Sequence, residues 1–207
     1  MSYDPTLAAA LSGVTIAQLR YWRRRHADKP ALLTPEFSYN NRVCYSFRDV
    51  IALRTVAYLR EESSLQKVRR ALSTLKSLGA DSHLSEYKLV STGNTIALLD
   101  HEDAVDLVAR PGQHLIAEMV DVLAPFTNIR GDEVPDFQRP RKNLVVDSET
   151  LSGFPVILGT RVPYDVVAEL VDDGVPPEEI KKYYPTVSVT AARDAQDYAN
   201  YVRRVAA

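Results

Sequence analysis

A cluster of basic and aromatic side chains near the start of the chain has the residue types that bind nucleic acid. Residues 20–25 read Arg-Tyr-Trp-Arg-Arg-Arg. Arginine can bond to phosphates and guanine edges, and Tyr21 and the nearby Gln18 can add hydrogen bonds to backbone or bases. The same pattern is also typical of a solvated basic face that packs Trp22 into the core. The residues alone leave both interpretations open.

A second segment is rich in glycine and proline, which fix a particular backbone path. Its conformationally restricted or polar residues are Gly153, Pro155, Gly159, Thr160, Arg161 and Pro163. Thr160 and Arg161 could bond either to the chain or to an anion. No Lys-Ser/Thr pair follows Gly159, so the segment does not match a nucleotide-binding fingerprint. It is predicted to form a structural turn.

The histidines give no sign of catalysis or metal binding. His26, His83, His101 and His114 are scattered, and none shows the i, i+4 spacing of a helical metal pair. The sequence also lacks paired cysteines, a phosphate loop and a Ser-His-Asp order. We therefore expect a protein that is not an enzyme and that holds no metal or cofactor.

The basic cluster must be positioned by the elements around it. Asp4 and Pro5 are typical of a helix start, and Gly13 is typical of a helix end. Thr15 then offers a capping oxygen for a second helix that runs to about Arg24. Two short helices joined by a tight turn form a helix-turn-helix pattern.

The next elements complete a predicted head. A loop or wing is expected over 28–41 and a strand over 42–45. The Ser46 and Asp49 pair resembles a capping box that begins a third helix, and the apolar stripe over 64–79 predicts a fourth.

The middle of the chain predicts a β-hairpin, with strands at 87–91 and 95–99 on either side of Gly93-Asn94. A helical turn is expected over 102–110. The polar stretch over 128–143 predicts an exposed linker or a long loop.

The last part of the chain predicts a short strand at 144–146 and then helices at 163–173, 177–184 and 189–205. The predicted fold class is therefore mainly α with small β elements. We expect three parts: a winged helix-turn-helix domain over 1–80, a β-containing middle segment and linker over 81–142, and a small helical domain over 143–207.

Charge is distributed unevenly along the chain although its net value is −2. Residues 1–80 hold 13 Lys or Arg against 6 Asp or Glu, a net +7, and residues 81–207 hold 12 against 21, a net −9. Such asymmetry predicts an anionic partner for the first part, with nucleic acid as the default.

Composition and cysteine usage indicate where the protein works. The 45% hydrophobic and 25% charged content is that of an ordinary globular protein. The single cysteine, Cys44, cannot form an internal disulfide, and no apolar run reaches the roughly 18 residues of a membrane span. We expect a cytoplasmic protein without a membrane partner.

Residues 4–78 resemble the MerR family of winged helix-turn-helix regulators. The resemblance is carried by Leu7 to Trp22, by Tyr39 and Arg42, and by Leu65 to Val68. In that family the second helix enters the major groove, while a Tyr and an Arg of the wing hold the phosphate backbone. MerR regulators usually continue into a long dimerising helix, and this chain has no such heptad run after Gly79.

The resemblance implies contacts to operator DNA from both the helix and the wing. The implied helix residues are Thr15, Gln18, Arg20 and Tyr21, and the implied wing residues are Tyr39, Arg42 and Tyr45. The basic segment itself adds Arg23 and Arg24 as candidate DNA-binding residues.

The C-terminal part, over about 143–205, resembles a widespread family of small bacterial domains with antitoxin-like members. The shared phrases are Gly-Thr-Arg-x-Pro at 159–163, a short Pro/Glu helix start at 175–180 and Tyr-Pro at 184–185. That family forms a small, homeodomain-like helical unit whose leading strand can pair subunits. Its members occur beside genes for PIN-domain ribonuclease toxins.

The two resemblances together imply a VapB-type antitoxin of a type II toxin–antitoxin pair. Such a protein binds its operator as a homodimer and neutralises a PIN-domain ribonuclease toxin. A toxin-contacting arm is expected over 128–143, with Asp132, Glu133, Asp136 and Phe137. The alternatives are a MerR-like regulator without a toxin, which senses a small molecule through its middle and C-terminal regions, and an interaction scaffold that does not bind DNA.

Overall fold

The helices and strands of the chain are mostly short and form several small layers. The computed structural model describes residues 2–25, 30–39, 42–79, 82–91, 95–100, 103–112, 114–115 and 121–206. The α-helices in these ranges are α1 (Pro5–Ser12), α2 (Ile16–Trp22), α3 (Phe47–Leu59), α4 (Leu65–Ser77), α5 (Tyr164–Asp172) and α6 (Val189–Ala206). Antiparallel strands lie between them, which confirms the predicted fold class of mainly α with small β elements.

The first two helices begin where local capping chemistry predicts. The Asp4 carboxylate accepts the Leu7 N–H at 2.7 Å, and Gly13 ends α1 in the left-handed conformation at φ +76°. Thr15 and Gln18 form a reciprocal capping box at the start of α2. The predicted helix-turn-helix is confirmed.

The wing is a small hairpin of β1 (Phe37–Tyr39) and β2 (Arg42–Cys44), with Tyr39 opposite Arg42. The predicted capping pair opens α3, because Ser46 and Asp49 each accept a backbone N–H of the other. Gly79 follows α4 in the left-handed conformation. These predictions for the third and fourth helices are confirmed.

A four-stranded antiparallel sheet occupies the middle of the chain. Its strands are β3 (Lys88–Ser91), β4 (Ile96–Asp100), β5 (Asp103–Asp106) and β6 (His114–Leu115), in that spatial order. A 3-10 helix, Leu84–Glu86, precedes it. The predicted hairpin at 87–99 is confirmed, while the Gly93-Asn94 turn itself lies outside the described residues.

The helical turn expected over 102–110 is wrong. Residues 103–106 pair with β4, and Ala97 lies opposite Asp106. The Asp106 carboxylate then accepts backbone N–H groups of Val108, Ala109 and Arg110, which makes a tight turn after the strand. Pairing with a neighbouring strand therefore overrides the local helical pattern.

The stretch over 128–143 is expected to be an exposed linker or a long loop. It consists mostly of loops and turns, but part of it is buried, and its contact with a toxin stays a prediction. The stretch contributes to a hairpin of β7 (Phe126–Thr127) and β8 (Glu133–Val134). Phe137 is only 1% exposed and packs edge-on against Phe47, with ring centroids 5.5 Å apart. Val134 and Phe137 anchor this polar segment in the core, since their burial outweighs its hydrophilic composition.

The C-terminal part follows the predicted order. Strands β9 (Leu144–Val145) and β10 (Val156–Ile157) pair antiparallel, with a 3-10 turn at Leu151–Gly153 between them. Helix α5, the 3-10 helix Pro177–Lys182 and helix α6 come next.

The predicted domain boundaries near residues 80 and 142 are crossed by buried contacts. The Tyr3 hydroxyl donates to the Gly153 carbonyl at 2.7 Å, and the Tyr201 hydroxyl donates to the Ala10 carbonyl at 3.2 Å. Helix α6 packs directly on α1, and residues from all three parts belong to one apolar core. We call this region, centred on Tyr3, Arg54 and Gly153, the junction.

Candidate nucleic-acid interface

Helix α2 is held against the head by its inner face. Leu19 and Trp22 are 2% and 3% exposed, and the Trp22 carbonyl accepts the Leu32 N–H at 2.8 Å. The spacing of these two apolar residues turns Arg20 and Tyr21 outward, and Tyr21 is 45% exposed. The short helix therefore presents its basic and aromatic side chains to solvent.

Five arginines lie in α2, directly after it or in the wing, and none has a carboxylate partner among the described residues. Arg20, Arg24, Arg25 and Arg42 are exposed, and Arg23 is half-buried. Within the described residues, none of them lies within 4 Å of a carboxylate oxygen. Exposed guanidinium groups without carboxylate partners favour a phosphate-bearing partner.

Thr15 and Gln18, which are predicted to contact DNA, are half-buried and form the capping box of α2. The Gln18 N–H donates to Thr15 Oγ1 at 3.0 Å, and the Thr15 N–H donates to Gln18 Oε1 at 2.8 Å. These bonds fix the first turn of α2 and thereby its direction. Their role as DNA contacts stays a prediction.

The wing leaves Arg42 exposed, whereas Tyr45, which follows β2, has a different environment from the one expected. Tyr45 is 2% exposed, and its backbone bonds reciprocally to Tyr3. Burial raises the pKa of Tyr45, the Arg23 charge lowers it in part, and Asp49 raises it. The expected phosphate contact of Tyr45 is corrected, since its side chain belongs to the core of the head.

Helix α2 and the wing flank a small crevice that brings several of these residues together. Its volume is about 210 Å³, and Arg20, Arg23, Val43 and Tyr45 are among its lining residues. Arg42 directly precedes Val43 as the first residue of β2. The backbone of Tyr39 pairs with Arg42, while its side chain lies outside what the structure describes.

The glycine- and proline-rich segment forms turns rather than an anion cradle. Gly159 adopts φ +74°, and the Thr160 hydroxyl donates to the Ile157 carbonyl at 2.9 Å and accepts the Val162 N–H at 3.0 Å. Pro163 stands at the start of α5, and the Pro155 carbonyl accepts the Tyr164 N–H. The polar atoms of Thr160 are thus used within the chain. Arg161 is exposed.

One cluster of side chains that are of the kinds that bind metal ions is not predicted from the sequence. Ligand atoms of Glu36, Asp49 and His83 lie within 4.8 Å of one another. Asp49 Oδ2 already accepts the N–H groups of Ser46 and Glu36, and Glu36 pairs with Arg48. These N–H groups and the Arg48 guanidinium explain why the carboxylates lie together: they are part of the N-terminal cap of α3. His83 could not be linked to Asp49 from the sequence because the two are 34 residues apart.

Comparison with known proteins agrees with this geometry. Residues 3–75 match the family described as MerR HTH family regulatory protein, and residues 144–199 match a family described as protein of unknown function, DUF433. The chain therefore carries a MerR-type helix-turn-helix domain and a DUF433 domain. The predicted MerR resemblance is confirmed.

Relatives and a solved structure extend the comparison. The uncharacterized HTH-type transcriptional regulators Rv1830 of Mycobacterium tuberculosis and Mb1861 of Mycobacterium bovis are each 29% identical over 154 residues, which cover 70% of this chain and 67% of theirs. The crystal structure of Rv2018 from Mycobacterium tuberculosis superimposes with a TM-score of 0.55 at 17% identity, over 93% of this chain and 96% of that one. The arrangement of elements is thus shared over nearly the whole chain.

A search of the described helices finds none that is both long enough and apolar enough to cross a membrane.

Proposed function

We propose that a chain with a MerR-type head and a DUF433 domain acts as a transcriptional regulator that binds operator DNA and is not an enzyme. The observation that carries the proposal is that Arg20, Arg24 and Arg42 are exposed and have no carboxylate partner among the described residues. Its mycobacterial relatives are named as HTH-type transcriptional regulators, which supports the same function.

In this proposal α2 lies in the major groove and the wing lies on the adjacent backbone. The major groove is about 12 Å wide and accepts one helix. Arg20 and Tyr21 face the base edges from the outer side of α2, while Arg42 binds phosphate from the wing. Two heads of a homodimer read the two halves of a palindromic operator. The cytoplasm is the compartment in which such a protein works.

The experiment that tests DNA binding measures affinity for the protein's own promoter by fluorescence anisotropy at several salt concentrations. Arg20→Ala with Arg42→Ala should weaken binding more than tenfold, and it should reduce the slope of log K against log salt by about 0.9, because Arg42 is the one of the two placed on a phosphate. A matched control is Arg193→Ala, an exposed arginine of α6 that pairs with Glu178 at 2.8 Å. Equal affinity and slope in the double variant and the control would remove the proposed interface.

We further propose that the chain is the antitoxin of a type II pair and neutralises a PIN-domain ribonuclease toxin. The resemblance of the C-terminal part to antitoxin-like domains and the net −9 of residues 81–207 support this finer proposal. A groove of about 340 Å³ lies between α5 and the following 3-10 helix, with Glu169, Asp173 and Tyr183 among its lining residues. Tyr183 is 56% exposed, so it offers an aromatic anchor between two acids for a basic partner.

Co-expression with the neighbouring gene product tests the antitoxin proposal. The wild-type chain should relieve the toxicity of that product and co-purify with it. Tyr183→Ala with Asp173→Lys should weaken the complex, whereas Arg20→Ala should leave the complex intact and impair only operator binding. Operator binding without rescue or complex formation would instead support a regulator that has no toxin partner.

A further inference from the structure

A cavity lies beside α4, and it shares no lining residue with the crevice between α2 and the wing. It is about 530 Å³ in volume and is bounded by α4, by residues 30–34 and by the start of the middle segment at 82–87. Small-molecule sites in proteins typically measure about 300–1,000 Å³. The cavity is therefore large enough for a ligand rather than only for water.

The lining of this cavity combines an apolar wall with positive charge. Five leucines contribute to it: Leu32, Leu33, Leu72, Leu75 and Leu84. Arg69, Arg70 and Lys76 supply the cations, and no Asp or Glu occurs among the described residues that line it. An apolar surface with a few convergent polar groups is typical of a ligand site, and the sign of the charge favours an anion.

Arg69 provides the sharpest indication of what is bound. Its Nη1 donates to the Pro30 carbonyl at 2.7 Å, which holds the guanidinium between α4 and the opposite wall. Its Nη2 is buried and has no hydrogen-bond partner among the residues that the structure describes. A buried, unpaired guanidinium nitrogen is unfavourable, and a carboxylate in the cavity would satisfy it after a small rotation of the group.

One wall of the cavity is bonded directly to the end of α2. The Leu32 N–H donates to the Trp22 carbonyl, and Trp22 is one of the two side chains that anchor α2. Leu33, also in this wall, is itself buried in the head. A ligand that pushes on residues 30–34 therefore acts on the position of the helix that presents Arg20.

We propose that this cavity binds a small organic carboxylate with an apolar body, and that its occupancy changes the affinity of the head for DNA. The carboxylate bonds to Arg69, with Arg70 and Lys76 adding electrostatic attraction, and the apolar body packs on the leucine wall. The binding step stands on the cavity alone. The effect on DNA rests on the proposed function.

Two matched pairs of probes test the binding step by isothermal titration calorimetry on the full chain. Salicylate and indole-3-acetate carry the carboxylate, whereas salicylamide and indole-3-acetamide have nearly the same shape without the charge. At least one acid should bind, and its amide should bind at least about tenfold more weakly, because a charge-assisted bond is lost. If neither acid binds, or if acids and amides bind equally, the proposal is overturned.

Variants locate the site. Arg69→Gln should weaken binding of the acid at least about tenfold and leave that of the amide nearly unchanged. Ser73→Trp places a large side chain at the exposed rim of the cavity and should block both probes. Arg193→Gln, on α6, should bind as the wild type does. Thermal melting of each variant shows whether it is folded. If all three folded variants bind the acid with the same affinity, the assignment to this cavity is overturned.

Promoter affinity measured with and without the bound acid then separates the two proposals. Acid binding by a chain that does not bind its promoter would remove the proposed function and keep the site. Promoter binding by a chain that binds no probe would remove the site and keep the proposed function. Acid binding with an unchanged promoter affinity would overturn the coupling.

Discussion

Arginine side chains occupy two opposite environments in this protein, one at the candidate DNA surface and one at the junction. Arg20, Arg24 and Arg42 are exposed, and within the described ranges no carboxylate lies next to them. Arg54 is fully buried. Its guanidinium donates to the carbonyls of Leu11, Val122, Leu123, Ala124 and Pro135 at 2.6–3.2 Å.

The difference shows that a charge count does not locate a binding surface. Arg54 and Arg20 each contribute one positive charge to the net +7 of residues 1–80. Its cation is enclosed by carbonyl dipoles and by the rings of Phe126 and Phe137, with centroids 5.0 and 5.8 Å away. Burial lowers the pKa of Arg54 to about 10, partly offset by Asp136. Arg54 holds parts of the fold together and does not attract DNA.

The largest effect is expected when Arg54 is replaced by methionine, which retains an unbranched apolar stem. The five carbonyls would lose a buried donor, so Arg54→Met should lower the free energy of unfolding by about 3–5 kcal/mol. Urea denaturation followed by circular dichroism measures this loss.

The control for this prediction is Arg193→Met, which breaks an exposed ion pair with Glu178. Exposed pairs contribute about 0–1 kcal/mol, so this variant should remain close to the wild type. Similar losses in the two variants would mean that the environments of the two arginines do not differ in the way described.

A second prediction concerns the backbone at the junction. Gly153 adopts φ +84°, and an added Cβ would lie 2.3 Å from a Phe47 ring carbon and 2.5 Å from the Tyr3 hydroxyl. Gly153→Ala should therefore cost about 3 kcal/mol, from the strained conformation and the steric overlap together. Gly159 has a similar φ of +74° with nothing within 4 Å of the added Cβ, so Gly159→Ala should cost only about 1 kcal/mol. Chemical denaturation of both variants tests the predicted ordering, and equal losses would rule out the steric contribution.

Local chemistry made much of the head predictable, whereas the junction depends on distant contacts. The capping boxes at Thr15 and Ser46 each need only a residue three positions later, so the sequence predicts where α2 and α3 begin. Arg54 contacts carbonyls up to 81 residues away, and Phe137 packs on Phe47. No periodicity within a short window indicates such pairs. For that reason the sequence predicts an exposed linker or a long loop over 128–143, and the family resemblance implies a DNA contact for Tyr45, although Phe137 and Tyr45 are buried.

A third prediction is that alkaline pH destabilises the junction and the neighbouring C-terminal core. Burial raises the pKa of Tyr3, Tyr164 and Tyr198 above the ordinary value of 10. In the unfolded chain these tyrosines ionise near pH 10, whereas in the folded chain they stay neutral to higher pH. Their contribution to the free energy of unfolding is therefore complete below pH 10 and is lost as pH rises. At pH 11 each of the three tyrosines lowers the free energy of unfolding by about 1.4 kcal/mol relative to its value below pH 10. The lowered pKa of Arg54 acts in the opposite direction by about 1.4 kcal/mol, which leaves a net loss of about 2–3 kcal/mol.

Urea midpoints at pH 8 and pH 11 measure this loss, and absorbance at 295 nm reports tyrosinate formation during unfolding. Tyr198→Phe is the informative variant, because it removes one of these raised groups, about 1.4 kcal/mol of the net loss, and should reduce the pH dependence by about half. A stability that does not change between the two pH values would show that these tyrosines ionise alike in the folded and unfolded chains.

The smallest effect on stability is expected at Arg24, where a substitution should clearly weaken DNA binding. Arg24→Met makes the same chemical change as Arg54→Met, but at an exposed side chain that has no carboxylate partner among the described residues. The free energy of unfolding should change by no more than about 0.5 kcal/mol. Promoter affinity should fall severalfold and the salt slope should decrease by about 0.9, as one phosphate contact is lost. If Arg24→Met destabilised the fold without changing the salt slope, Arg24 would belong with Arg54, and the distinction between a binding surface and a structural junction would fail at this residue.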